Sequence, residues 1–184
     1  MLQVIYKFSV WILVFISLIL MLVFSLMVND NIKKQKHNEA LIALNASRTN
    51  IEQQRELRCL ADNVYYEAAH EPKKGMMAVA FVTINRVKHK SFPDTVCEVV
   101  HQKRKKTCEF SWVCGVSKGY NRREYTKSIK IANKIYRNHD TMYDVSGGSI
   151  YFKAVYAHNK FFDNLKFIKK IGKHQFYRDQ KKQK

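Results

Sequence analysis

The chain has 184 residues, room for one domain of ordinary size. Its 33 Lys and Arg against 15 Asp and Glu leave a formal charge of +18, which calls for an anionic partner: nucleic acid, a membrane surface or an acidic polymer. With 46% apolar and 12% aromatic residues, six Gly and two Pro, a disordered basic tail, a collagen-like chain and a low-complexity chain are excluded.

Residues 1–28 hold one basic residue, Lys7, and no acid. Within them residues 8–28 are interrupted only by Ser9, Ser17 and Ser25, and as a helix at about 1.5 Å per residue they span roughly the hydrocarbon core of a bilayer. A cleaved signal has a shorter apolar region and a small-residue cleavage site, and Leu26-Met27-Val28 is not one. The expectation is a transmembrane signal anchor over 1–28. Lys33, Lys34 and Lys36 beyond it, by the positive-inside rule, favour a cytoplasmic C-terminal part. Cys59, Cys97, Cys108 and Cys114 argue the other way: an even set without a C-x-x-C pair suits two disulfides in an oxidising compartment. Sequence leaves their connectivity open among three pairings, with buried free thiols as the alternative.

Residues 29–55 read as a polar juxtamembrane stalk, and a single domain follows over 56–184. Leu57, Leu60, Ala61, Val64, Tyr65 and Ala68 recur with helical period, and Glu67 falls about 90° from the centre of that stripe. Pro72 blocks continuation and suits the first turn of a second helix, 72–87, which is apolar nearly all round and therefore central. Thr95 with Glu98, and Asn121 with Glu124, have the spacing of capping boxes. Between them 103–121 looks irregular. The helix after Asn121 presents Tyr125, Ser128, Ile129, Ala132 and Tyr136 as its stripe. After Gly147-Gly148, residues 149–157 favour strand, with 167–178 as partner across Gly172. The fold class is α+β: a mainly helical domain with a small β-sheet, preceded by one transmembrane helix.

A carboxyl at the edge of an apolar helical face resists ionisation, which is how a protein keeps an acid protonated for general-acid work. Glu67 has that position, though a helix-edge Glu is also an ordinary solvated side chain. No phosphate-binding glycine loop, H-E-x-x-H motif or serine nucleophile elbow is present, and the seven histidines lack ligand spacing.

Cys59-Leu60-Ala61, Tyr65-Tyr66-Glu67-Ala68, Glu71-Pro72, Gly75 and Ala78-Val79-Ala80 resemble the opening of the SleB-like cell wall hydrolases. The likeness continues in order through Ile84-Asn85-Arg86-Val87, Phe92-Pro93-Asp94-Thr95-Val96-Cys97, Cys108-Glu109-Phe110-Ser111-Trp112, residues 148–152 and Ile171-Gly172-Lys173-His174, to Arg178. The resemblance implies a lysozyme-like catalytic domain that cleaves peptidoglycan between N-acetylmuramic acid and N-acetylglucosamine, with Glu67 as the catalytic Glu of the family's E-A-x-x-E motif. It implies no cofactor and no metal. Lys153 stands where His is common, Ala69-His70 where Arg-Gly is, and Glu109 where Gln is frequent; these departures bear on substrate preference.

A two-carboxylate glycosidase needs a partner for Glu67, and Glu71, Asp94 and Glu109 are the candidates. A lytic transglycosylase, as the resemblance implies, manages with one. Phe110, Trp112, Tyr151 and Phe152 are candidates to line a glycan groove, with Asn85 or Ser111 bonding acetamido groups. Core packing for the rings, an internal hydrogen bond for Asn85, and an orienting or pairing role for Glu71 are the alternatives. The reading is a membrane-anchored lytic transglycosylase, held through residues 8–28 with its domain on the periplasmic or extracellular side. Peptidoglycan is its partner and no nucleic acid is expected. Behind it stand a hydrolytic muramidase, an inactive wall-binding scaffold and, more remotely, a tethered nucleic-acid-binding module using 103–106 and 166–173.

Overall fold

One helix, α1 (Leu2–Ala68), carries the first third of the chain in the computed structural model, which describes residues 2–105, 107–115 and 119–180. Residues 1 and 181–184, inside the boundaries read for the anchor and the domain, lie outside the described residues, as does Lys106 of the basic stretch 103–106. The chain divides into two compact units, Met1–Ile51 and Glu52–Lys184.

The first unit is helical. Large apolar side chains from Trp11 to Val28, among them Phe15, Met21 and Phe24, are exposed, and the helix is long and apolar enough to cross a membrane. The segment read as a stalk is helical as well, with surface pairs such as Gln35 Nε2 donating to Glu39 Oε1 at 3.2 Å.

In the second unit the end of α1 buries Leu60, Ala61, Val64 and Ala68 in the core. Pro72 is the N-cap of α2 (Lys73–Val87), which it can begin because a first-turn residue needs no intrahelical donor. α2 is central, as its all-round apolar sequence requires: Met76, Ala78, Val79, Ala80, Phe81, Val82 and Ile84 are all buried. Its one buried hydroxyl is satisfied, since Thr83 Oγ1 donates to Val79 O at 3.2 Å and accepts from Asn63 Nδ2 at 3.0 Å.

Both N-caps form, each by its side chain accepting from the backbone amide three residues on. Thr95 caps α3 (Val96–Val100) by accepting from Glu98 N, and Asn121 caps α5 (Arg122–Asn138) by accepting from Glu124 N. α3 has a second cap that spacing does not reveal. The buried Glu56 carboxylate, from α1, accepts from Val96 N at 2.5 Å and Cys97 N at 3.3 Å, beside a Cys59–Cys97 disulfide.

α5 corrects the stripe expected for it. Ser128, Ile131, Ala132 and Ile135 are its buried residues, whereas Ile129 is 40% exposed. The i, i+3, i+4, i+7 set starting at Ser128 is the one that meets the core, and Tyr125 and Tyr136 sit half-buried at its edges.

The region 103–121 holds a two-residue hairpin, β1 (Lys103–Arg104) with β2 (Thr107–Cys108), and a short helix, α4 (Ser111–Cys114). A Cys108–Cys114 disulfide closes it. The main sheet is antiparallel in the order β3 (Tyr151–Ala154), β5 (His174–Asp179), β4 (Leu165–Ile171). Strand is thus confined to four residues of the 149–157 stretch, because the carbonyls of Ser149 and Ile150 accept instead from the side chains of Asn85 and Arg86. β5 is central, pairing Phe176 with Phe152 and Tyr177 with both Tyr151 and Phe167. Gly172 makes the β4–β5 turn at φ +57°, a conformation that favours glycine.

Candidate active site

Glu67 lies in the last turn of α1, one residue before the helix ends at Ala68. Its side chain is half-buried, and burial pushes its pKa up from 4.5 to about 7. The Arg86 guanidinium opposes that shift without cancelling it.

The reason lies in how Arg86 is held. It is 4% exposed in the last turn of α2, with Nε donating to Ile150 O at 2.7 Å and Nη2 paired with Glu109 Oε1 at 2.9 Å. The rings of Phe92, Phe110 and Tyr151 stand 5.0, 5.2 and 5.8 Å from its guanidinium carbon. A cation already paired with one carboxylate and framed by three rings lowers the Glu67 pKa by less than burial raises it. Glu67 therefore keeps a proton near neutral pH, the state a general acid needs.

Phe110, Tyr151 and Glu109 gather around Arg86, and Phe110 is buried. Phe152 packs into the core with Phe176 at 6.0 Å and meets the edge of His174 at 5.2 Å. Trp112 stacks on Tyr66, the neighbour of Glu67, with ring centroids 4.5 Å apart and planes 18° from parallel. Ser111 is exposed at the start of α4.

Asn85 makes internal hydrogen bonds, the alternative weighed for it. Its amide nitrogen faces Asp144 Oδ2 at 2.9 Å, Ser149 O at 3.1 Å and Ser146 Oγ at 3.3 Å, fastening the loop that leads into β3. Glu71 is likewise engaged: its Oε2 accepts from Lys173 N at 2.9 Å in the β4–β5 turn. A Cβ at Gly172 would overlap that carboxylate, so the turn and the acid fit only with glycine there.

Sequence reasoning missed Arg86 as an individual residue. The available signal was a cation one residue from the end of a helix otherwise built for the interior. It also missed the tyrosine cluster beside Glu67. Asp62 Oδ1 accepts from Tyr125 OH at 2.7 Å and Tyr120 OH at 3.3 Å, while Tyr65 OH accepts from Asn121 N at 2.8 Å. Burial and the Asp62 charge raise both Tyr120, to about 12, and Tyr125, keeping these hydroxyls protonated as donors.

A family model described as cell wall hydrolase matches residues 70–177, starting just beyond Glu67. A spore cortex-lytic enzyme of Bacillus cereus is 34% identical over 124 residues, which are 67% of this chain and 44% of that enzyme. The chain thus matches less than half the length of that curated relative. Among solved structures, the catalytic domain of the Bacillus cereus SleB protein is similar with a TM-score of 0.51 and 30% identity, covering 68% of this chain and 91% of that one. The catalytic domain of the germination-specific lytic transglycosylase SleB from Bacillus anthracis is similar with a TM-score of 0.53 and 30% identity, covering 68% and 95%.

Proposed function

The chain belongs to the cell wall hydrolase family, and from that premise we propose that it is a lytic transglycosylase cutting peptidoglycan glycan strands with Glu67 as general acid and then base. The observation that carries this reading is a carboxyl held near pKa 7 by burial, beside an arginine whose charge is already compensated. Of the three carboxylates weighed as its partner, Glu71 is engaged with the β4–β5 turn and Glu109 with Arg86, while Asp94 is exposed in the loop before α3. That favours a mechanism needing one acid over the two-carboxylate hydrolytic route.

In this mechanism protonated Glu67 donates to the glycosidic oxygen as the bond to muramic acid C1 breaks. The leaving N-acetylglucosamine departs with a free hydroxyl. Carboxylate Glu67 then takes the proton of the muramic acid C6 hydroxyl as its oxygen attacks C1, closing a 1,6-anhydro ring and regenerating the acid. No water is consumed. Because the nucleophile belongs to the substrate, orientation replaces a water-activating base. Trp112 stacked on Tyr66, and Tyr151 beside Arg86, are the rings we assign to glycan contact.

The exposed apolar helix supports anchoring through residues 8–28, and the two disulfides support a domain on the oxidising side of that membrane. The test is Glu67→Gln, which keeps size and loses the titrating proton. It is expected to abolish release of fragments from purified peptidoglycan while binding to the wall persists. Retained release would overturn the assignment.

A further inference from the structure

The +18 charge is left unexplained by one half-buried acid and its arginine. Much of it is organised on α5. Arg123, Lys127, Lys130, Lys134 and Arg137 follow one another at spacings of three and four, so they share an arc of about 80° over roughly 21 Å of helix. All five are exposed. The buried Ser128, Ile131, Ala132 and Ile135 lie on the other side. Lys127 pairs with Glu124 at 3.0 Å. Among the described residues no carboxylate pairs with Arg123, Lys130 or Lys134 within 4.0 Å.

The stripe borders two adjoining hollows that share Lys127 and Lys130. One, of about 420 Å³, is lined by Arg122, Arg123 and Thr126 besides the shared pair. The other, of about 400 Å³, lies where α5 meets the start of α2, with Ala69, Met76 and Ile131 among its lining, Lys73 beside the shared pair, and one carboxylate, Glu71, which is engaged by Lys173 N. Together they form a groove with ammonium groups along its rim and aliphatic patches on its floor.

We propose that this groove binds a linear polyol-phosphate polymer, whose phosphodiesters would meet the rim and whose short carbon links would cover the aliphatic floor. The apolar side of α5 is already committed to the core, so the helix has no face left to insert into a bilayer, as an amphipathic membrane helix must. The lining of the two hollows contains no aromatic side chain on which bases could stack, which disfavours single-stranded nucleic acid. Attraction through several separate cations to a regular polyanion predicts affinity that falls steeply with salt.

The experiment uses the full chain in a neutral detergent and fluorescently labelled poly(glycerol phosphate), followed by anisotropy at 50 and 200 mM salt. K127Q/K130Q/K134Q is expected to weaken binding at least tenfold and flatten the salt dependence. K103Q/K160Q/K166Q, which removes the same charge from exposed sites elsewhere, is expected to stay within twofold of the parent. K127R/K130R/K134R, which keeps the charge, is expected to bind like the parent, and loss of binding there overturns the proposal. Equal weakening by the two glutamine triples would show attraction to net charge alone and overturn it. So would absence of binding by the parent chain, or displacement of the polymer by duplex DNA or anionic phospholipid vesicles at lower concentration than by unlabelled polymer.

Discussion

In the proposed mechanism the protonation of Glu67 is set by burial against the pull of Arg86, and that balance is measurable. A carboxyl whose folded pKa stands near 7, above its ordinary 4.5, must be protonated to act first as acid. The rate of glycan cleavage is therefore predicted to fall as pH rises through about 7, along a limb absent from wall binding. The same shift has a stability consequence of opposite sign to the usual carboxylate. The folded state holds the proton more tightly than the unfolded one, so ionisation between about pH 4.5 and 7 costs stability. Glu67→Gln is thus expected to melt above the parent at pH 8, with the advantage shrinking toward pH 4; a variant less stable at pH 8 than at pH 4, relative to the parent, contradicts the burial argument. Glu109 enters through Arg86. Glu109→Gln removes the carboxylate paired with the Arg86 guanidinium, strengthens its pull on Glu67 and shifts the alkaline limb to lower pH, which a pH–rate profile would read directly.

Elements are held to one another by polar contacts that periodicity does not encode. The helices α2 and α3 and the cap of α5 were legible in the sequence, because Pro72, Thr95 with Glu98, and Asn121 with Glu124 act locally. Glu56 was not, since it caps a helix 40 residues away. Glu56→Ala leaves two backbone amides of α3 without their acceptor and is predicted to cost about 1–3 kcal/mol by urea denaturation. The core face of α5 was misjudged because Ile129 and Ile131 are equally apolar, and only packing decides which one meets α2. The β4–β5 turn is likewise tertiary. Gly172→Ala there meets both a left-handed backbone and the Glu71 carboxylate, so a loss of about 1–2 kcal/mol or more is expected in the same experiment.

For the whole molecule, the disulfides and the ordered set of family residues carry most of what could be read in advance. An even cysteine count announced two bridges, while Cys59–Cys97 and Cys108–Cys114 emerge only once α3 returns beside α1. The first closes a separation of 38 residues and the second only 6, so chain entropy assigns about 4 kcal/mol to the first and about 2 kcal/mol to the second. Cys59→Ser with Cys97→Ser is predicted to lower the urea midpoint more than the other pair removed together. The helix-edge position of Glu67 was legible from period, whereas the contacts of Asn85 and Glu71 could not be assigned without the loops they fasten.

The central claim is that one half-buried acid, without a water-activating partner, cleaves the glycan strand. Mass spectrometry of the fragments released by the full chain from purified peptidoglycan tests it most directly. Fragments lighter by one water than reducing-end products, and absent with Glu67→Gln, are the predicted result. Reducing-end products would contradict it and require a second carboxylate at work.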